Sequence, residues 1–317
     1  MTSPNESSTL VFFGTDAFSL PSLEALIRSG ESIEAVVTKP DGRVGRGRAI
    51  TASPIKSLAQ AHDIPVHQPA DRSELLGTID GFSSGFGVVV AYGRIIPEAA
   101  IEHFSSGLVN VHPSLLPRYR GPAPIEAPIL NGDAETGISL MRLDVGMDTG
   151  PVYVQETVDL SGTETKPQLH DLMAAKGGQL LAMHLDNIRT GQLLARAQSQ
   201  LSKETPTVTC LITKADGIID WIRPATTLER HIRAYLGWPG SKAMIQGMDV
   251  TITAAHAGDN LLLVGTGESG GQPGTAFKTS TGDLAVVTGH GELIIDALKP
   301  AGKTEMSGRS FLAGHHI

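Results

Sequence analysis

Cysteine is almost absent from this sequence, since Cys210 is the one cysteine in 317 residues. A single thiol excludes an internal disulfide and a cysteine-rich metal site. It also fits a protein of a reducing compartment, so we expect a cytoplasmic location. The sequence has no uninterrupted apolar run of about 18 residues, which argues against a transmembrane helix and a membrane partner.

Other absences narrow the class of protein further. The first ten residues have no basic segment and no apolar segment, so we expect no secretory signal. The net charge of −8 excludes a chain that is basic throughout, although a local basic patch remains compatible with it. No G-x-G-x-x-G follows the first predicted strand, where Gly14 stands alone, and this disfavours a nicotinamide-dependent oxidoreductase.

What is present is an alternation of buried strands and amphipathic helices in the first part of the chain. Such an order predicts right-handed crossovers and a mostly parallel sheet that is covered on both faces, in a Rossmann-like α/β domain. The predicted helices are 21–29, 54–62 and 166–189. The predicted strands are 9–14, 33–38, 65–69, 87–91, 107–112, 136–143 and 151–158.

The composition changes after about residue 190. The polar stretch 191–206 (GQLLARAQSQLSKETP) is typical of a linker. Short apolar runs bounded by Gly, Asp or Asn follow it, among them MDVTITAA, NLLLVG, LAVVTG and GELIIDAL. This rhythm predicts a small β-barrel, OB-like, or a sandwich of about 100 residues. The expected domains are therefore 1–190 and 207–317, with 191–206 between them.

An Asn-x-His pair ends the predicted strand 107–112. Side chains two residues apart on a strand share one face, so Asn110 and His112 should point the same way. They lie at the carboxyl edge of the sheet, where open α/β folds bind their ligands. Together they could hold a carbonyl oxygen that becomes an oxyanion. The alternative is that Asn110 caps the next loop and His112 is a satisfied core histidine.

A second polar loop follows the predicted strand 136–143. It carries Asp144 and Asp148 among glycines, in RLDVGMDTGPV. A carboxylate here could reach a histidine on a neighbouring strand, orient its ring and stabilise its charged form. The alternative is that both aspartates only close the turn through side-chain to backbone bonds.

Five segments of the first domain, taken in order, resemble the methionyl-tRNA formyltransferases. They are VFFGTDAFSLPSLEAL, TKPDGRVGRGRAITASPIK, VVVAYGRIIP, NVHPSLLPRYRGPAPI and TGISLMRLDVGMDTGPV. The later segments ITKADGIIDW, IRAYLGWPGSKA and LKPAGKTEMSGRSFL resemble the carboxyl-terminal domain of the same family. The resemblance runs through nearly the whole chain, and its Asn-x-His-Pro-Ser-Leu-Leu-Pro element is specific for formyl transfer from folate.

The resemblance implies a reaction and three catalytic residues. The formyl donor would be 10-formyltetrahydrofolate, and the acceptor would be the α-amine of methionine on initiator tRNA, with no metal required. Asn110, His112 and Asp148 match the family's catalytic trio. Asn110 and His112 would hold the oxygen of a tetrahedral intermediate, while Asp148 orients His112 and one of the two moves the proton, directly or through a water.

The resemblance also implies a folate site, built on a strand end whose backbone would pair with the pterin edge. A plain central strand is the alternative for 87–91. The implied folate-binding residues are Val89, Ala91, Tyr92, Gly93, Ile95, Ser114, Leu115, Leu116 and Pro117.

A basic loop, 39–48, resembles the family's insertion that contacts the tRNA acceptor end, and Arg46 is its most prominent residue. A solvated loop without a partner is the alternative. The lysines of the second domain, which include Lys242, could follow a phosphate backbone, whereas Trp221 and Trp238 are expected in the core rather than as stacking platforms. The implied tRNA-binding residues are Lys39, Arg43, Arg46, Arg48, Lys214, Arg233, Lys299 and Lys303.

Three rival functions remain at this point. A sugar-amine N-formyltransferase and a formylfolate hydrolase share the catalytic strand, and the basic loop argues against both. A non-catalytic RNA-binding protein on the same scaffold is disfavoured by the intact trio. Glu126 and Pro128 depart from the family pattern and leave open the shape of the entrance to the predicted site.

We expect a monomer.

Overall fold

The computed structural model describes residues 9–44, 49–258 and 271–315. Its contacts divide the chain into two compact units. The first contains the chain up to Pro124, Glu135–Asp159 and His170–Thr209, and the second contains Ile125–Ala134, Leu160–Leu169 and the chain from Cys210 onward. By these contacts residues 191–206 belong with the first unit, so the predicted limits 1–190, 191–206 and 207–317 stay a prediction.

A seven-stranded sheet forms the centre of the first unit, in the order β5-β2-β1-β6-β7-β8-β9. A separate two-stranded sheet pairs β3 with β4. The strands of this unit are β1 (Thr9–Gly14), β2 (Ser32–Val37), β3 (Gly42–Val44), β4 (Ala49–Thr51), β5 (Val66–His67), β6 (Phe86–Val90), β7 (Gly107–His112), β8 (Glu135–Arg142) and β9 (Val152–Asp159).

The sheet is mostly parallel, which confirms the predicted fold class. Neighbours from β5 to β7 run parallel, whereas β8 pairs antiparallel with both β7 and β9 at the far edge. The strands β6 and β7 are buried along their whole length. This is why their sequences, FGVVV and GLVNVH, are nearly continuous apolar runs rather than alternating ones.

Helices cover the sheet and connect its strands. Ser53 caps α2 as predicted, because its hydroxyl accepts the Lys56 N–H at 3.2 Å. The helix α3 was missed, because its short sequence has only Leu75, Leu76 and Ile79 as large apolar residues around Gly77. The helices up to residue 201 are α1 (Leu20–Arg28), α2 (Pro54–Ala61), α3 (Arg72–Ile79), α4 (Glu98–His103), α5 (Glu126–Asn131), α6 (Lys166–Arg189) and α7 (Gln198–Leu201), of which α5 and the start of α6 belong to the second unit.

The second unit contains an antiparallel sheet of order β10-β11-β14-β13-β12, with β15 beside β14. Its curled, half-barrel form confirms the OB-like fold class. The run NLLLVG, for which a strand was predicted, lies outside the described residues. The elements are α8 (Ala225–Ala234), β10 (Ser241–Ile245), β11 (Met248–Ala257), β12 (Ala276–Lys278), β13 (Leu284–Val287), β14 (Glu292–Pro300), β15 (Met306–Ser307) and α9 (Gly308–Ala313).

A helix that spans a membrane must be both long and apolar. Among the described residues, no helix has the length and apolar character needed to span a bilayer.

Two glycines offer a test of the packing around the central strands. At Gly87, in β6, a Cβ atom would lie 2.5 Å from Leu108 Cδ2 and 3.2 Å from the Val11 carbonyl oxygen, whereas at Gly77, in α3, it would meet nothing within 4 Å. We expect Gly87→Ala to lower the free energy of unfolding by about 1–3 kcal/mol through overpacking. Gly77→Ala should raise it by about 0.5–1 kcal/mol, since alanine favours a helix. Urea unfolding of both variants checks this, and equal effects would contradict the described packing.

Candidate active site

Asn110 and His112 lie next to one another on the strand at the centre of the site. β7 pairs with β6 on one side and β8 on the other, so Asn110 lies between Val89 and Met141, and His112 lies opposite Ser139. Both side chains are largely buried, with 9% and 5% of their surface exposed. They share one face at the carboxyl end of the strand, as their spacing predicted.

The Asn110 side chain has unused hydrogen-bonding capacity. Within the described part of the chain, no side chain or backbone group forms a hydrogen bond with its amide. Asn110 therefore does not cap the following loop. A primary amide carries two donors and an acceptor, and a buried one is nearly always paired. Because it lies at the carboxyl edge of the sheet, this unpaired amide is available to a polar ligand.

The ring of His112 is held through one nitrogen. Nε2 lies 3.0 Å from the carbonyl oxygen of Tyr119. Because a carbonyl oxygen only accepts, Nε2 must carry the hydrogen and donate it. In the neutral ring Nδ1 then has a lone pair, and this is the nitrogen that can take up a proton.

Asp148 faces that free nitrogen. Its Oδ2 lies 3.7 Å from His112 Nδ1, within reach of an ion pair but beyond a hydrogen bond. The same oxygen accepts the Gly121 N–H at 2.8 Å. The backbone of Tyr119, rather than Asp148, thus sets the orientation of the ring. The carboxylate is placed to stabilise the ring when Nδ1 is protonated.

The two aspartates of this loop have different roles. Asp144 accepts hydrogen bonds from the Gly146 N–H at 3.2 Å and the Thr149 hydroxyl at 2.9 Å, which closes the turn. Asp148 instead reaches Gly121 and His112 across the fold. The turn-closing alternative therefore applies to Asp144 alone.

Comparison with known proteins identifies the family. The family model described as formyl transferase matches residues 8–185, and the one described as formyl transferase, C-terminal domain matches residues 211–316. The methionyl-tRNA formyltransferase of Trichlorobacter lovleyi is 39% identical over 97% of this chain and 94% of its own. That of Pelobacter propionicus is 40% identical, over 97% and 93%.

The chain belongs to the methionyl-tRNA formyltransferase family. A solved structure, the N-formyltransferase from Helicobacter canadensis in complex with folinic acid and dTDP-3-aminofucose, matches with a TM-score of 0.67 and 18% identity. The match covers 91% of this chain and 98% of that one, and at this identity it supports the fold alone.

The loop 114–117 of this family member is fastened to β8 and β9. Ser139 donates its hydroxyl to the Ser114 carbonyl at 2.6 Å and accepts the Leu116 N–H at 3.2 Å. Gln155 donates to the Leu116 carbonyl and to the Ser139 hydroxyl, both at 2.9 Å. The Ser114 hydroxyl is already used by the Arg118 carbonyl at 2.6 Å.

The residues predicted for folate in this loop are therefore mostly internal. The side chains of Ser114, Leu116 and Pro117 are buried, and only Leu115 is partly exposed. Leu116 packs in a small core cluster with Met141 and Val152. We infer that these residues shape the site through the backbone they fix.

The segment after β6 is divided between core and surface. Val89 and Tyr92 belong to the core cluster around Phe13, and the Tyr92 ring meets Phe13 edge to face at 5.6 Å. Burial raises the pKa of the Tyr92 hydroxyl, and among the described residues this buried hydroxyl has no hydrogen-bond partner. Ile95 is 92% exposed.

Several backbone N–H groups of the same segment have no acceptor among the described residues. The N–H groups of residues 92–95 donate to no acceptor among the described residues, and Gly93 and Ile95 are exposed. Ala91 and Gly93 have positive φ values of 44° and 69°. This turn therefore presents unpaired donors beside the strand end that carries Asn110.

The end of β1 closes the other side of this turn. The Thr15 hydroxyl donates to the Tyr92 carbonyl at 3.0 Å, and the Asp16 N–H donates to the Ala91 carbonyl at 3.4 Å. The Asp16 carboxylate, assisted by Asp171, raises the pKa of His170.

Of the four predicted tRNA-binding residues of the first unit, one lies near this turn, one lies in β3 and two lie outside the described part. Lys39 follows β2, and its Nζ lies against Gly93. Arg43 lies in β3. Arg46 and Arg48 lie outside the described residues. The acid of the loop, Asp41, is bound by Lys56 at 2.7 Å, and this hydrogen bond holds its pKa below the usual value.

Three of the four tRNA-binding residues predicted in the second unit are exposed. Lys214, Lys299 and Lys303 reach solvent. Arg233 is mostly covered, and its contact with a phosphate stays a prediction. Its guanidinium donates to the Glu164 carbonyl at 2.8 Å and lies 3.8 Å from Glu229, with only 14% of the side chain exposed.

Two further predictions concern tryptophans and metals. Trp221 packs against the core of the second unit as expected, but Trp238 is 50% exposed. No group of three or more histidine, cysteine or carboxylate side chains suited to a metal ion occurs among the residues described.

The fastening of the loop 114–117 gives a testable expectation. Ser139→Ala leaves the buried Leu116 N–H without its acceptor and should lower the free energy of unfolding by about 1–3 kcal/mol. Ser73→Ala removes an exposed hydroxyl with no partner among the described residues, and should change it by less than about 0.5 kcal/mol. Urea unfolding measures both. A Ser139→Ala effect no larger than that of Ser73→Ala would show that the hydroxyl does not hold the loop.

Proposed function

We propose that this protein transfers the formyl group of 10-formyltetrahydrofolate to the α-amine of methionine carried by initiator tRNA, and so acts in translation initiation. The observation that carries the proposal is the convergence of the Asn110 amide, the free nitrogen of His112 and the Asp148 carboxylate at one strand end. The family to which the chain belongs supports the choice of substrates.

Asn110 is proposed to stabilise the formyl oxygen. Negative charge develops on this oxygen when the amine nitrogen bonds to the formyl carbon. The Asn110 amide, fixed in β7 and free of other partners among the described residues, can donate to it without first breaking a bond. A donor that is already in place is typically worth about 3 kcal/mol of transition-state stabilisation.

His112 is proposed to carry the proton. Its Nδ1 accepts the proton that the amine loses as the new carbon–nitrogen bond forms, and delivers it to the folate nitrogen when the old bond breaks. During this interval both ring nitrogens carry a hydrogen, and the ring has one positive charge shared between them. Asp148, 3.7 Å away, offsets that charge, and the Tyr119 carbonyl keeps the ring in position.

The site fits a folate co-substrate in two respects. A pterin edge alternates donors and acceptors, and the open N–H groups of residues 92–95 offer the partners that backbone recognition requires. The buried Asn110 amide has no partner among the described residues, and a formyl oxygen would supply one. When bound, the folate supplies the activated formyl group, while the chain supplies orientation and the proton path.

Recognition of tRNA is proposed to use the basic loop 39–48. Its acid, Asp41, is paired with Lys56 and hydrogen-bonded by Gln68. The one acid of the loop is thus engaged by Lys56 and Gln68, which lie outside it. Phosphate groups of the acceptor end are the natural partners for such a loop.

A second contact is proposed on the sheet of the second unit. Thr251 in β11 pairs with Lys242 on one side and with Lys299 on the other, so the two exposed lysines point the same way, roughly 10 Å apart. They line an open cavity of about 700 Å³ together with Trp221. Lys214 and Lys303 are proposed to extend this surface.

The site of action follows from the substrates. Initiator tRNA is used in the cytoplasm, so we propose a cytoplasmic location. A monomer stays a prediction, which sedimentation equilibrium would test.

The decisive experiment determines which acceptor receives the formyl group. Purified protein is given formylfolate together with methionyl initiator tRNA or an amino-sugar nucleotide. We expect the mass of one formyl group to be added to the methionine alone. Formylation of the sugar only, or release of formate without an acceptor, would instead identify a sugar N-formyltransferase or a hydrolase.

The catalytic assignment predicts the effect of two substitutions. Asn110→Ala and His112→Ala should each lower kcat by about 10²-fold or more, because each removes an interaction made in the transition state. Both should keep the thermal stability of the unaltered protein to within a few degrees. Turnover with formylfolate and charged tRNA measures the effect, and near-normal rates in either variant would remove that residue from the mechanism.

The proposed lysine surface predicts a salt dependence. The logarithm of the tRNA affinity should fall linearly with the logarithm of salt concentration, and Lys299→Ala should reduce the slope by about 1. Lys278→Ala, on β12 of the same sheet, removes an equal charge outside the proposed surface and should leave the slope unchanged. Filter binding across a salt series measures the slopes. An affinity independent of salt would exclude binding through phosphates.

A further inference from the structure

Gln198 joins the backbone that carries Asp148 to a distant part of the chain. Its side-chain Nε2 donates to the Asp148 carbonyl at 2.8 Å and to the Gly150 carbonyl at 2.9 Å. Its Oε1 accepts from Arg120 Nε at 3.1 Å and from Arg120 Nη2 at 2.7 Å. The residue is 4% exposed.

The orientation of this amide is unambiguous. The two carbonyl oxygens can only accept and the guanidinium can only donate, so a rotated amide would lose all four bonds. Both hydrogens and both lone pairs of the Gln198 amide are used. A buried polar group that is satisfied in this way fixes its partners in one arrangement.

The backbone that it holds is strained. Asp148 has a φ of +53°, a left-handed conformation that a residue with a Cβ rarely adopts. Such a residue costs about 1–3 kcal/mol and persists only where its surroundings enforce it. The Asp148 carboxylate is directed towards Gly121 and His112 from this conformation.

Arg120 closes the network on the other side. The residue after it, Gly121, donates its N–H to the Asp148 carboxylate. Arg120 is itself held by Thr207 and Thr209, since its N–H donates to the Thr207 carbonyl at 2.9 Å and its carbonyl accepts the Thr209 N–H at 2.8 Å. Asp148 is therefore held by its main chain through Gln198 and by its carboxylate through Gly121.

We propose that Gln198 is a positioning residue for formyl transfer, which keeps Asp148 in the left-handed conformation that places its carboxylate beside His112. The proposal rests on the proposed function. Gln198 does not touch the reacting atoms and acts through Asp148. It lies between the matches to the two family models, which end at residue 185 and resume at residue 211.

This role gives a purpose to the stretch 191–206, which the sequence predicts as a linker, and to the residues directly after it. Residues 198–209 supply Gln198, Thr207 and Thr209, all of which hold the loops that carry the catalytic groups. A small displacement of Asp148 is expected to matter, since a misplacement of about 1 Å can cost about 10²-fold in rate.

The test uses the full-length protein with Gln198→Ala, which removes all four bonds, and Gln198→Glu, which keeps the acceptor for Arg120 but removes both donors. We expect kcat to fall about 10- to 100-fold in both, with KM for formylfolate and for charged tRNA changed less than about threefold. Gln200→Ala is the matched control, because Gln200 lies on the same helix α7 with an exposed side chain, and its kcat should be unchanged.

A double-substitution cycle separates positioning from general damage. If Gln198 acts through Asp148, adding Gln198→Ala to Asp148→Ala should lower kcat by less than about twofold further. An additive loss, or a kcat within twofold of the unaltered protein in both Gln198 variants, would overturn the proposal. Thermal unfolding identifies any variant that is not folded at the assay temperature, in which case Gln198→Glu carries the test.

The controls also distinguish this proposal from the function on which it rests. If the unaltered protein and Gln200→Ala formylate methionyl-tRNA and the Gln198 variants do so equally well, the positioning role alone is wrong. If the unaltered protein does not formylate methionyl-tRNA, the proposed function is wrong as well.

Discussion

The hydrogen bond between His112 Nε2 and the Tyr119 carbonyl is the interaction on which the site depends. A carbonyl oxygen accepts only, so this bond decides which ring nitrogen carries a hydrogen and which remains free. It also decides that the free nitrogen faces Asp148. Without it the ring could rotate, and the neighbouring carboxylate and amide would have no fixed group to act with.

The topology of the sheet explains why this interaction occurs here. β7 is the strand at which pairing changes from parallel, with β6, to antiparallel, with β8. β6 then brings the turn at residues 91–95 to the same edge, while β8 supplies Ser139 to hold the loop 114–117 and leads directly into the loop of Asp148. Three segments that are distant in sequence therefore meet where Asn110 and His112 end their strand.

Backbone strain is concentrated at the same place. Among the described residues five other than glycine have positive φ, namely Asp63, Ala91, Tyr119, Asp148 and Gln246. Three of these border the site. Each is held by bonds from elsewhere: Ala91 by the Asp16 N–H, Tyr119 by the Thr207 hydroxyl, and Asp148 by Gln198. The surrounding fold thus maintains conformations that the local sequence would not keep alone.

The sequence alone determined the fold class and the positions of Asn110 and His112, because apolar periodicity and spacing along one strand are local properties. The family was indicated by the resemblance of its motifs. Tertiary structure decided the rest. The roles of Tyr119, Ser139 and Gln198 depend on contacts between residues far apart in the chain, and nothing in the polar stretch 191–206 distinguishes a support of the site from a linker. The same holds for Arg233, whose hydrogen bond to the Glu164 carbonyl and proximity to Glu229 its charge alone did not predict.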